Sequence, residues 1–276
     1  MKKIVFFVTA LLALTFANAQ PLTTPQPSPT QTIKQNFGVG SIELNYSRPG
    51  KKGRKIMGDL VPFGKVWRTG ANGATTITFS DDVTIGGKEI KAGKYGLLTI
   101  PDAKKWTIII SKDITVNQPA NYKPEEDVVR LEADAITMQY TIENFTINFA
   151  DITGSSCNVE LMWENTYLRF PITTNTDAKV MGQINDIMNK DNKPYFNAAS
   201  YYYDNGKDLN QALAWVNKAL ETNKDAFFMY LLKARIHKKL GDKAAAKAAA
   251  LLCKETATAA KNDDYVKMAT ELIAGL

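Results

Sequence analysis

The densest collection of groups able to hold an anion lies between Arg48 and Asn72. SRPGKKGRK, Ser47 to Lys55, places five basic residues in the eight positions from Arg48 to Lys55, among Pro49, Gly50 and Gly53. Guanidinium and ammonium groups beside the open backbone amides of a glycine-rich loop favour carboxylate, sulfate or phosphate. LVPFGKVWRTGAN, Leu60 to Asn72, follows closely. There Lys65 adds a cation, Trp67 offers a flat apolar face, and Arg68 can stack on a ring or fork onto a carboxylate. Asn72, between Gly70 and Gly73, can bond a ligand and its own backbone together. A tryptophan beside fixed polar donors also suits a glycan or a peptide. The candidate ligand-binding set is therefore Arg48, Arg54, Lys65, Trp67, Arg68 and Asn72. The same residues have an architectural reading. An arginine on a buried carboxylate, with Glu143 and Glu164 as candidates, and an asparagine bridging two loops, staple the corner of a sandwich. The basic run also reads as a solvated loop at a strand end.

Most catalytic chemistry lacks its residues. His237 is the single histidine, so a Ser-His-Asp triad, a Cys-His pair or a multi-histidine metal site would each depend on one ring. The two cysteines, Cys157 and Cys253, fall in segments of different type and read as buried free thiols, not as a bridge or a zinc site. There is no Gly-x-Ser-x-Gly elbow, no His-Glu-x-x-His and no phosphate loop. Paired carboxylates remain: Asp81 with Asp82, and Glu125, Glu126 with Asp127. They support glycan hydrolysis only if two of them face each other across a cleft, and they read better as solvated turn residues. The acidic run lacks calcium-loop spacing. No catalytic residue, metal ligand or cofactor is assigned.

The elements that must position the candidate set are strands. Ile42, Leu44 and Tyr46 alternate with polar residues, as on a half-buried strand. Ala74 to Ser80 is β-branched, and Asp82 to Ile90 reads as a hairpin turning at Gly86-Gly87. Lys94–Ile100 and Trp106–Ser111 flank a Pro-Asp turn. Val128, Leu131, Phe145, Ile147, Phe149, Val159, Leu161, Trp163, Leu168, Phe170 and Ile172 continue the pattern. Short strands with such turns predict an all-β, sandwich-like domain over residues 31–172.

Near Thr173 the composition turns to Ala, Lys, Leu and Met, and the period becomes helical. Phe196 to Lys224 overlays Tyr230 to Thr258 at a constant offset of 34: Ser200 on Ala234, Ala212 on Ala246, Ala219 on Cys253. That period, with small residues where helices cross, is similar to the tetratricopeptide repeat. It predicts an all-α region over residues 177–276, with Asp177–Asn189 leading and Tyr265–Leu276 capping. Lys224 stands where the repeat usually has a proline, and a generic pair of helical hairpins is the alternative. His237 falls on the packing face equivalent to Tyr203, a core or edge position.

A wider resemblance rests on Ser47-Arg48-Pro49, Gly53-Arg54, Leu60-Val61-Pro62, Gly64 to Asn72, Ala92-Gly93-Lys94-Tyr95, Thr99-Ile100-Pro101 and Trp163-Glu164-Asn165. Together these resemble the domain of unknown function 2911 family over about residues 31–172. The resemblance implies an exported sandwich-like domain, sometimes followed by helical repeats. It implies no activity or cofactor. Members often carry Trp-Gly before the acidic segment; here Ile114 to Lys123 reads ITVNQPANYK, leaving Tyr122 as the aromatic of that loop.

The first residues complete the expectation. Lys2 and Lys3, the apolar run Ile4 to Phe16, and Ala17-Asn18-Ala19 form a secretory signal peptide over residues 1–19, too short to span a bilayer. Residues 20–30, with four prolines, read as a linker. Removing Lys2 and Lys3 leaves 32 basic against 28 acidic residues, a mild positive balance that does not point to nucleic acid. The expected protein is exported, periplasmic or secreted, with no membrane span. It is a non-enzymatic binder of an anionic, glycan or peptide ligand through the β-domain and of a protein or peptide through the helices. A carboxylate-based glycan hydrolase and a structural scaffold are the alternatives.

Overall fold

The structure is a computed structural model that describes residues 24–276; the expected signal peptide lies outside the described residues. The chain divides after Asn175 into two compact units.

The first unit is antiparallel β throughout. One sheet runs β1-β2-β3-β6-β7-β8, built from β1 (Thr30–Phe37), β2 (Gly40–Ser47), β3 (Thr76–Phe79), β6 (Gly93–Ile100), β7 (Lys105–Ser111) and β8 (Asp127–Asp134). The other runs β5-β4-β10-β9, from β4 (Val83–Ile85), β5 (Lys88–Ile90), β9 (Ile136–Ala150) and β10 (Ser156–Thr173). The alternation read in β2 sets its register: Ile42 lies opposite Phe79 and Leu44 opposite Ile77, all four buried, while Glu43 faces out. Ile42, Leu44, Ile77, Trp106 and Ile108 of the first sheet share one core with Phe145, Val159, Leu161, Trp163 and Phe170 of the second. Two sheets burying one face each against the other make a β-sandwich. The Tyr46 hydroxyl ties them by accepting from the Ile147 amide at 2.9 Å.

Two departures from plain alternation matter for the site. β6 and β7 are buried on both faces. Leu98 and Ile109 point away from the main core into a small cluster with Val116, beside Val66 and Tyr122. The segment between β7 and β8, residues 112–126, supplies Val116 and Tyr122 and so covers that outer face. Second, β10 slips register against β9 on either side of Glu164, whose φ is +54°. A bulge re-aims side chains and frees backbone groups. Here the Asn165 amide takes up the carbonyls of Met138 (3.3 Å) and Tyr140 (2.9 Å). Trp163-Glu164-Asn165 is therefore a bulge whose own side chain repairs the ladder.

The second unit is all helical: α1 (Thr176–Ile187), α2 (Tyr195–Asp204), α3 (Leu209–Thr222), α4 (Phe227–Leu240), α5 (Lys243–Ala259) and α6 (Asp263–Ala274). Asp208 and Asp242 each accept backbone amides at the starts of α3 and α5, satisfying donors the helix itself cannot. Gly241, at φ +84°, ends α4. Ala199, Ala212, Val216 and Ala219 are buried where α2, α3 and α4 pack. No helix among the described residues is long and apolar enough to cross a membrane. Cys157 and Cys253 are both buried and unbridged. Burial pushes each thiol up to about 11, which keeps it protonated and unreactive at neutral pH.

Candidate functional site

The basic loop leaves β2 and crosses to the second sheet. Gly50 bridges Asn144, the Lys51 amide donates to Glu143 O (2.7 Å), and the Phe145 amide donates to Pro49 O (2.9 Å). Arg48 follows the same path: its Nε donates to Phe145 O (3.0 Å) and its Nη2 to Thr146 Oγ1 (2.8 Å). Arg54 folds onto its own loop, donating to Lys51 O (3.0 Å) and Gly50 O (2.6 Å). Glu143 accepts the Lys52 amide at 2.8 Å. Glu164, turned outward by the bulge, accepts the amides of Ile56 (3.2 Å) and Met57 (3.4 Å) and lies 3.6 Å from Lys51 Nζ. The two glutamates proposed as staples do staple the corner, but onto this loop and not onto Arg68.

The second loop is built from its own residues. Trp67 pairs its backbone with Thr99, at 2.7 and 3.0 Å, as an isolated bridge beside β6. Its ring stacks on Trp163, with centroids 5.9 Å apart and planes at 18°, and meets Phe145 and Trp106 edgewise at 5.0 and 6.1 Å. The indole N–H donates to Gly70 O at 3.0 Å. Thr69 is fully buried in a left-handed conformation, its hydroxyl 3.1 Å from that of Thr99, and Thr75 donates to its carbonyl at 2.7 Å. Gly70 passes so close to β2 that a Cβ there would stand 3.0 Å from Ser47 O and from Thr75 Oγ1. Asn72, also left-handed, donates to Ser28 O (3.0 Å) and Ser47 Oγ (3.3 Å). Ser28 and Pro29, placed in the linker by their composition, are thus docked: Asn72 holds the first and the Arg48 amide the second.

Trp, Thr, Gly and Asn of this run each have an architectural account. Arg68 does not. It is partly buried and donates Nη1 to Asn117 O at 2.7 Å, while its Nε is buried without a partner. No carboxylate among the described residues lies within 4.0 Å of it. Burial holds its pKa below the ordinary value, because removing a charge from water disfavours the charged form. Two other buried side-chain atoms lack partners, Trp106 Nε1 and Asp127 Oδ1. The first is neutral. The second belongs to a carboxylate whose Oδ2 is held by Tyr122 and Arg130 at 2.5 Å each. Among the described residues, Arg68 alone combines a charge, an orphaned buried donor and no counter-ion.

Arg68 also faces space. It lines a cavity of about 270 Å³ with Arg54, Leu60, Trp67, Ala71 and Trp163. It lines a second, of about 210 Å³, with Lys65, Val66, Trp67 and Pro119. Of the six candidates, Arg54, Lys65, Trp67 and Arg68 therefore reach a cavity, whereas Arg48 and Asn72 line neither. No carboxylate lines either cavity among the described residues. Asp82 instead accepts Lys91 and the Ala92 amide, and Glu125 and Glu126 sit in a 3-10 turn. Tyr122 packs into the outer cluster; burial and neighbouring Asp127 push its hydroxyl up to about 12. His237 lies in the last turn of α4, its pKa lowered by burial. Sequence reasoning missed Leu60 and Ala71 as cavity walls and the Asn117 carbonyl as the partner of Arg68. A backbone carbonyl carries no residue-type signal. Leu60 and Ala71, however, both fall within the run from Leu60 to Asn72.

The fold is a two-sheet module with a stapled corner, which carries at Arg68 a partly buried guanidinium with an unpaired donor, followed by a helical unit. Residues 28–172, over half of the chain, match the family described as Protein of unknown function (DUF2911), and the chain belongs to that family. Its first matched residue, Ser28, is the one that Asn72 anchors. No curated protein and no solved structure matches the chain.

Proposed function

We propose that this chain is a non-enzymatic, exported binding module whose β-unit holds a small anionic ligand against Arg68. One observation carries the reading: a partly buried guanidinium with an orphaned Nε, no carboxylate partner, and two cavities beside it. Buried charges are normally paired, and a partly buried guanidinium without a carboxylate keeps its charge available to an anion from outside the fold. Arg54 and Lys65 add positive charge at the cavity walls. The hydrolase alternative has less support, since among the described residues no carboxylate pair lines these cavities.

The helical unit reads as tetratricopeptide-like, presenting a surface to a protein or peptide. Support comes from spacing: α5 begins at Lys243, 34 residues after α3 begins at Leu209, and their capping aspartates Asp242 and Asp208 keep the same offset.

The test is a titration of the full chain with carboxylates, phosphonates and sulfate, read by thermal shift and calorimetry, on the wild type and on Arg68→Met. Anion-dependent stabilisation that disappears in the variant supports the reading. An unchanged response in the variant removes it.

A further inference from the structure

The chemistry of the larger cavity narrows the anion. Its walls hold two guanidiniums, Arg54 and Arg68, no ammonium and no carboxylate. Of the other lining residues, Pro49, Leu60, Val61, Ala71 and the two indoles are apolar, beside Ser28 and Gly70. At about 270 Å³ it falls below the usual span of roughly 300–1,000 Å³ for drug-sized ligands. A compact, strongly hydrated anion such as sulfate would lose water on every side and regain hydrogen bonds only at the arginine end. A glycan stacks on an open indole face, but Trp67 is stacked on Trp163 and edged by Phe145 and Trp106. Sugar hydroxyls also need acceptors, which these walls supply sparsely. A carboxylate asks for donors at one end only, in the planar fork geometry that a guanidinium matches.

We propose that the ligand is a monocarboxylate on a small apolar or aromatic body, its carboxylate on Arg68 with Arg54 nearby and its body against Leu60, Val61 and Ala71. This rests on the anion-binding reading above. Leu60 is 44 % exposed, so it forms the outer wall and controls entry. A free organic acid and the C-terminal residue of a peptide share this chemistry.

The experiment measures binding of 3-phenylpropionate, 3-phenylpropionamide, phenylphosphonate, inorganic sulfate, and N-acetyl-Ala-Phe with a free or an amidated terminus. The full chain is compared with Arg68→Met, Arg68→Lys and Leu60→Trp. 3-Phenylpropionate is expected to bind, and its neutral amide to bind at least about tenfold more weakly, since the charge is the contact. Arg68→Met is expected to lose binding by a similar factor. Leu60→Trp, at an exposed position, fills the mouth and weakens binding even if the Arg68 variants fold poorly. A peptide that binds more tightly than 3-phenylpropionate and loses binding on amidation assigns the site to a chain terminus. The reverse order assigns it to a free acid, and both support the proposal. Equal binding of acid and amide overturns it. Arg68-dependent binding of phenylphosphonate or sulfate without carboxylate binding overturns it but leaves the anion reading standing. No response to any anion overturns both.

Discussion

In the loop from Arg48 to Lys55, Arg48 donates to Phe145 O and Thr146, Arg54 to two carbonyls of its own loop, and Lys51 lies against Glu164. In the loop from Trp67 to Asn72, Arg68 finds one carbonyl and no carboxylate. In the charge-rich loop, the more eye-catching in sequence, Arg48, Lys51 and Arg54 are spent on the fold, while Lys52 and Lys55 lie exposed. The single arginine of the second loop is the one that is partly buried with a donor left unpaired. Cation density in a sequence therefore does not locate an anion site; what locates it is a cation whose partners are missing after folding.

Substitutions can break that comparison. The largest effect is expected for Trp67→Ala, which removes one ring from the stack with Trp163 and the edge contacts to Trp106 and Phe145. A loss of about 3 kcal/mol is expected by chemical denaturation, the low end for a tryptophan because the side chain is only partly buried. Glu164→Ala comes next. It strips the Ile56 and Met57 amides of their acceptor and should cost about 2 kcal/mol. Arg48→Met orphans Phe145 O and Thr146 Oγ1 and should cost about 1–2 kcal/mol. Arg54→Ala removes two bonds onto the carbonyls of its own exposed loop and should cost about 0.5–1 kcal/mol. Arg68→Met removes a buried unpaired donor and one bond to the carbonyl of exposed Asn117, which water can replace, and should be neutral within about 0.5 kcal/mol.

The sandwich was legible because its inner faces alternate. Ile42, Leu44 and Tyr46, the Gly86-Gly87 hairpin and the Pro-Asp turn after Ile100 all reappear as elements. The helical unit was legible from the change of composition and period near Thr173. The bulge at Glu164 was not, because it depends on a register slip between β10 and β9 that periodicity does not encode. The site was legible only in part. Trp67 reads as a platform for a ligand in isolation, but Trp106, Phe145 and Trp163 occupy it from distant parts of the chain. Glu143 and Glu164 were expected to pair an arginine, but they hold backbone amides of the basic loop and Lys51 instead, because the choice of partner depends on where two loops cross. Asn72 was expected to bond either a ligand or a second loop, and its bonds to Ser28 and Ser47 favour the second.

The central claim is that Arg68 serves a ligand and not the fold. Equilibrium unfolding of Arg68→Met beside Arg48→Met, both without ligand, tests it most directly. The expected result is a wild-type stability for Arg68→Met and a clear loss for Arg48→Met. A loss of about 2 kcal/mol or more for Arg68→Met, matching or exceeding that of Arg48→Met, would make Arg68 one more staple of the corner and contradict the claim.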